Sequence, residues 1–263
     1  MFDDTAPDIR EERFVFKTED GAELIGTFYA PTRRPFAAVV LNGATGVPQG
    51  YYRHFARWLA AERGLACLTF DYRDTGLSLR GSMRASKPDM IDWGLADQLA
   101  ARRKLQRLCP KAKIWIIGHS LGAMLTPNHR DLTGVARVIG VASGIVHHSD
   151  HPWPYRAMAL MFWFGLGPLA TLACGYLPGR ALRFGEDLPA RAYWQWRRWC
   201  TSPDFYAADV AAGRLPAPHW TGDIPVRLLA FTDDDLIPPQ CVARLGQAFG
   251  GVEPNVVTPK PGQ

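Results

Sequence analysis

The sequence predicts an α/β fold: a mostly parallel, doubly wound sheet with a helical segment inserted late in the chain. Three observations carry that prediction. From Ala37 to Ala142, short apolar runs alternate with helix-length amphipathic stretches, as parallel strands joined by crossover helices require. The run Ile114-Trp115-Ile116-Ile117 ends in Gly118-His119-Ser120-Leu121-Gly122, with helix-forming residues directly after it. The alternation then stops between about Ser143 and Gly222, and resumes at Pro225.

Taken in order, Phe14–Thr18 and Glu23–Tyr29 flank Glu19-Asp20-Gly21 and read as an antiparallel hairpin that Pro31 ends. Ala37–Leu41 is a continuous apolar run, the pattern of a strand buried on both faces. Asn42-Gly43-Ala44 leads the chain into a helix from about Gly50 to Arg63, with Phe55, Trp58 and Leu59 on one side. Leu65–Phe70 is the next strand. A helix from Pro88 to Leu108 follows, with Pro110 just past its end. After the Ser120 turn come a strand at Val135–Ala142, a strand at Pro225–Phe231, a helix near Pro239–Phe249 and a last strand at Asn255–Thr258. The expected division is 1–143 as the first part of the core, 144–222 as a cap, and 223–263 as the second part.

The cap segment holds Trp153, Trp163, Trp194, Trp196, Trp199 and Trp220, six of the nine tryptophans. Within it, Ala157–Gly179 has no charged residue and is long enough to cross a bilayer. Its interruption by Gly165, Gly167, Pro168, Gly175 and Pro178 favours a buried or substrate-facing cap over a membrane contact.

Composition narrows the function. The 263 residues are 47% hydrophobic, enough for one sizeable core, and carry a net charge of +5. The basic residues are scattered, so no nucleic-acid partner is expected. Five cysteines without metal-ligand spacing read as reduced thiols, and no metal or cofactor is called for. Met1-Phe2-Asp3-Asp4 is acidic and polar, unlike the start of a signal peptide, so a cytoplasmic protein is expected.

The chemistry concentrates on Ser120. In a Gly-x-Ser-x-Gly turn the residues two before and two after the serine approach closely, which Gly118 and Gly122 permit. Backbone amides of Leu121 and Ala44 are the candidate oxyanion donors. Phe231-Thr232-Asp233-Asp234-Asp235 supplies an acid in the loop after the penultimate strand, with Asp234 the first candidate and Asp235 the second. In this chain order the histidine base should follow the acid, and none does. His119 sits inside the turn; His54 and His129 fall on helices; His147, His148 and His151 stand near the start of the cap as possible substitutes.

The Ser120 turn, the Asn42-Gly43 loop and the Asp234 loop, in this order and spacing, resemble the α/β-hydrolase superfamily. Leu41–Pro48, Asp71–Gly76 and Phe184–Pro189 with Trp196 and Trp199 are similar to one bacterial group of predicted serine hydrolases. That resemblance implies Ser120 as nucleophile, an oxyanion hole at Ala44 and Leu121, and an acid in the Asp233-Asp234 pair. It also implies a terminal Gly-His stretch, which this sequence lacks, so the chain reads as a C-terminally truncated member. Asp74 stands where the group more often has glycine. The expected substrate is a small carboxylic ester with an apolar acyl or aryl group. An acyltransferase using the same serine and a non-catalytic binding protein are the alternatives.

Overall fold

The computed structural model describes residues 9–260; Met1–Asp8, with the acidic start Met1–Asp4, and Pro261–Gln263 lie outside the described part. In chain order the first elements are β1 (Ile9–Lys17), β2 (Glu23–Pro31), β3 (Ala37–Asn42), α1 (Arg53–Ala61) and β4 (Ala66–Phe70). Next come α2 (Gln98–Leu108), β5 (Lys113–His119), α3 (Leu121–Met124) and β6 (Val135–Val141). After them come α4 (Tyr155–Leu160), α5 (Leu166–Cys174), the two-residue strands β7 (Tyr176–Leu177) and β8 (Leu188–Pro189), α6 (Ala190–Thr201) and α7 (Ala207–Ala211). The strand β9 (Val226–Phe231), α8 (Pro239–Ala248) and β10 (Asn255–Val257) follow.

Eight strands form one sheet in the order β1-β2-β4-β3-β5-β6-β9-β10. The β1–β2 hairpin is antiparallel, β2 pairs antiparallel with β4, and every pair beyond is parallel. Helices on both faces bury the central strands, and β3 and β4 are buried at every position. The parallel strands all point their carboxyl ends to one edge, where Asn42, Asp71, Ser120, Ala142 and Thr232 leave the sheet. In an open α/β sheet that edge is where ligands bind.

Several local expectations change. Phe55 and Trp58 stack on each other and are exposed, while Ala56, Leu59 and Ala60 form the buried side of α1. The helix before β5 begins with a π-helical turn, Asp92–Asp97. There Gly94 packs so closely on Leu125 that a Cβ could not fit, and the Gly94 carbonyl oxygen lies 2.7 Å from Nε2 of His129. His129 is therefore a buried residue in extended backbone after a 3-10 turn, not a helical one. The helix after Ser120 is only four residues long, because Pro127 follows at once. Asp74 has φ +57°, which explains why glycine suits that position; its carboxylate accepts from Ser86 Oγ at 2.6 Å.

Most of the 144–222 tryptophans pack on other aromatic rings. Trp163 lies edge-on to Trp196 and stacks on Tyr193, and Trp199 is fully buried with its Nε1 donating to Asp209. Asp209 also accepts from Arg198 and Arg214. The uncharged stretch differs more. In the helical rod Tyr155–Cys174 exposed and half-buried positions outnumber the buried ones.

Candidate active site

Ser120 ends β5 with φ +51° and ψ −114°, the strained conformation that lifts a side chain off a strand–helix turn. The surroundings enforce it. A Cβ on Gly118 would collide with the Gly122 and Ala123 backbone, and one on Gly122 would stand 2.7 Å from the Asn42 carbonyl carbon. The Ser120 amide donates to the Val141 carbonyl at 3.1 Å, and its carbonyl accepts from Ser143 Oγ at 2.7 Å. The turn is thus tied to β6, while Ser120 Oγ has no hydrogen-bond partner among the described residues. Leu121 opens α3, where an amide has no acceptor within the helix.

The Ala44 amide is placed differently from the expectation. It donates to the Tyr52 hydroxyl at 2.8 Å, and that hydroxyl lies 2.9 Å from Nδ1 of His119. Burial pushes the Tyr52 phenol up to about 12, so it is neutral here. An oxyanion can reach the Ala44 amide only after Tyr52 gives it up. His119 turns its ring to Tyr52; burial lowers its pKa, and the Asp234 charge opposes that shift.

Asp234 caps its own loop: its Oδ1 accepts from the amides of Leu236 at 2.9 Å and Ile237 at 2.8 Å. It does so ahead of α8 rather than at the helix N-cap, which is Pro238. The His151 ring is buried and bonded at Nδ1 to the Asp235 carbonyl at 3.0 Å. Burial lowers the pKa of His151 and of His148. His147 bonds Ser149 Oγ at 2.7 Å. His148 Nδ1 is buried and has no partner among the described residues. No cluster of three metal-ligating side chains occurs among them either.

The floor of the site is a polar network that the sequence does not single out. Asp71, at the end of β4, accepts from the Gln49 amide at 2.7 Å, Gln49 Nε2 at 2.9 Å and the Leu77 amide at 2.9 Å. These bonds hold the loop after β4 against the one after β3. Above, the Glu186 amide donates to the Gly46 carbonyl at 2.8 Å, which seats the Phe184–Pro189 stretch on the Ala44 loop. The cavity left there, between Ala44, Val47, Tyr72 and Trp93, measures about 10 Å³. A larger groove of about 460 Å³, lined by Arg10, Arg33, Arg34 and Lys111, lies at the opposite end of the strands.

The profile of a family described as the alpha/beta hydrolase family matches residues 38–262. No curated protein matches the sequence. Solved structures match almost the whole fold at low identity. A Pyrococcus furiosus esterase aligns over 95% of this chain and 81% of its own, at 15% identity and TM-score 0.62. A thermostable carboxyl esterase from Bacillus coagulans aligns over 94% and 90%, at 15% identity and TM-score 0.55. A soluble variant of monoglyceride lipase from Saccharomyces cerevisiae aligns over 98% and 87%, at 16% identity and TM-score 0.59.

Proposed function

The chain belongs to the alpha/beta hydrolase family, and on that footing we propose that its serine turn hydrolyses small carboxylic esters through an acyl-enzyme on Ser120. The observation that carries this reading is the backbone of Ser120, at φ +51° between two glycines that tolerate no side chain, at the carboxyl end of β5. A strained backbone of this kind costs stability and clusters where the side chain is used. The structural neighbours described as esterases and a lipase agree with the substrate class.

In this reading Ser120 Oγ attacks the ester carbonyl, and the Leu121 amide receives the developing oxyanion. Ala44 joins it once Tyr52 withdraws. Asp234, with Oδ1 fixed by two amides, orients the base through its other oxygen. The segment 144–222 acts as the cap, and its uncharged stretch is the ground for an apolar acyl or aryl group. The base is the open position: the last histidine of the 263 residues is His219, ahead of the acid. The reading leaves that role unassigned among the 263 residues, with cytoplasmic action on a small molecule and no cofactor.

A second reading, a non-catalytic binding protein on the same fold, is favoured by the occupied Ala44 amide. Turnover of short and medium p-nitrophenyl esters separates the two. It is measured on this chain, on one extended through the natural downstream codons, and on each with Ser120→Ala. Activity only in the extended chain, abolished by Ser120→Ala, supports the serine esterase. Equal activity in the short chain moves the base to His147, His148 or His151. No turnover in any form supports the binding protein.

A further inference from the structure

Tyr155–Cys174 is one helical rod of 20 residues, made of α4, a π-helical turn at Met161–Gly165, and α5. At 1.5 Å per residue it is about 30 Å long. Its most apolar 18-residue stretch has a mean hydropathy of 1.7, yet only 28% of that stretch is buried. One side is firmly docked. Tyr193 donates to the Phe162 carbonyl at 3.0 Å and Arg197 Nε to the Trp163 carbonyl at 2.5 Å, capturing backbone groups near the π turn. A Cβ on Gly167 would strike the Phe162 carbonyl and the Tyr193 hydroxyl. The rod is therefore part of the fold and does not leave it to span a bilayer.

The other side is exposed and wholly apolar. Ala157, Met158, Met161, Phe164, Leu166, Leu169, Leu172 and Ala173 are its exposed positions. Leu169 is 68% exposed, Leu172 is 71%, and Trp153 just before the rod is 67%. A surface helix of a soluble protein places polar residues there. A contiguous apolar face of this kind marks a contact surface.

Charge identifies the partner. Residues 151–185 carry Arg156, Arg180 and Arg183 and no carboxylate at all. Arg84 packs against Gly175 at the far end of the rod, and the Arg197 guanidinium stands 5.3 Å over the Phe164 ring. Arg180 pairs with Glu186. Among the described residues Arg84, Arg156, Arg183 and Arg197 have no carboxylate within 4.0 Å. A two-fold contact with a second copy would bring these like charges together. A layer of phosphate headgroups over acyl chains offsets them and accepts the apolar face between them.

We propose that the exposed face of Tyr155–Cys174 docks in the interface of an anionic phospholipid bilayer. The rod lies parallel to the surface, with Trp153, Met161, Leu169 and Leu172 among the upper acyl chains and the arginines among the phosphates. This reverses the expectation drawn from its glycines and prolines, which break a spanning helix but not an interfacial one. The inference does not depend on the chemistry proposed for Ser120.

The test is sedimentation with vesicles of phosphatidylcholine alone or mixed in equal parts with phosphatidylglycerol. The protein is expected to pellet with the mixed vesicles, less with phosphatidylcholine, and less again as salt is raised. Leu169→Asp/Leu172→Asp, checked by its melting temperature, is expected to stay in the supernatant. Arg156→Gln/Arg183→Gln is expected to lose binding on the order of ten-fold. If Leu169→Asp/Leu172→Asp unfolds, Leu172→Gln replaces it with the same readings. The proposal is overturned if the wild type stays in the supernatant with anionic vesicles, or if the variants pellet equally. It is overturned as well if the wild type is a dimer that Leu169→Asp/Leu172→Asp makes monomeric while neither binds vesicles; a second copy then covers the face.

Discussion

The Tyr52 hydroxyl takes the Ala44 amide at 2.8 Å and touches His119 Nδ1 at 2.9 Å, so one phenol joins the loop after β3 to the turn that carries Ser120. Tyr52→Phe frees the Ala44 amide at the cost of both contacts of the hydroxyl, about 2 kcal/mol. If that amide serves the oxyanion, ester turnover by the extended chain is expected to rise up to about ten-fold in kcat/KM. A drop of more than ten-fold would show that the hydroxyl itself serves the reaction.

Gly122 is a packing requirement rather than a convenience. Gly122→Ala places its methyl against the Asn42 backbone, which cannot yield without moving β3. Urea unfolding is expected to show a loss of about 3 kcal/mol. Gly50→Ala, with nothing within 4 Å, serves as the control. Equal midpoints for the two variants would refute the close approach.

Asp209 holds the inserted segment together from within. It is fully buried and accepts from Trp199 Nε1, Arg198 and Arg214. Asp209→Asn removes the charge that these cations face and is expected to cost about 3 kcal/mol. Limited proteolysis should then cut between 144 and 222 before the sheet is lost. A protease pattern like that of the wild type would count against this role.

His129 makes stability depend on pH. Burial, with the Arg102 charge acting in the same sense, lowers it from 6.5 to about 4. The folded state thus binds fewer protons than the unfolded chain between those values, so stability is fully present above 6.5 and is lost as pH falls toward 4. The loss from about pH 7 to about pH 5 is about 2 kcal/mol. His129→Gln keeps a donor for the Gly94 carbonyl without the titration and should melt with a flatter pH profile over that range. Parallel profiles for wild type and variant would remove His129 as the cause.

Much of the fold was legible because it is written in short-range patterns. Continuous apolar runs mark β3, β4 and β5, and the glycines around Ser120 mark a turn whose geometry only small residues allow. The candidate acid was legible as a cluster after β9. What the sequence by itself determined was therefore the α/β class, the order of strands and turns, and the position of Ser120 among them. Tertiary structure alone decided how those pieces are used. The Ala44 amide is committed to Tyr52 because α1 packs that phenol under the loop, and Asp234 spends one oxygen on its own turn. Likewise, which side of Tyr155–Cys174 faces water depends on α6 taking the other side. A helix that is apolar all round carries no periodic signal to say which face is docked, and only the packing of Tyr193 and Arg197 sets it.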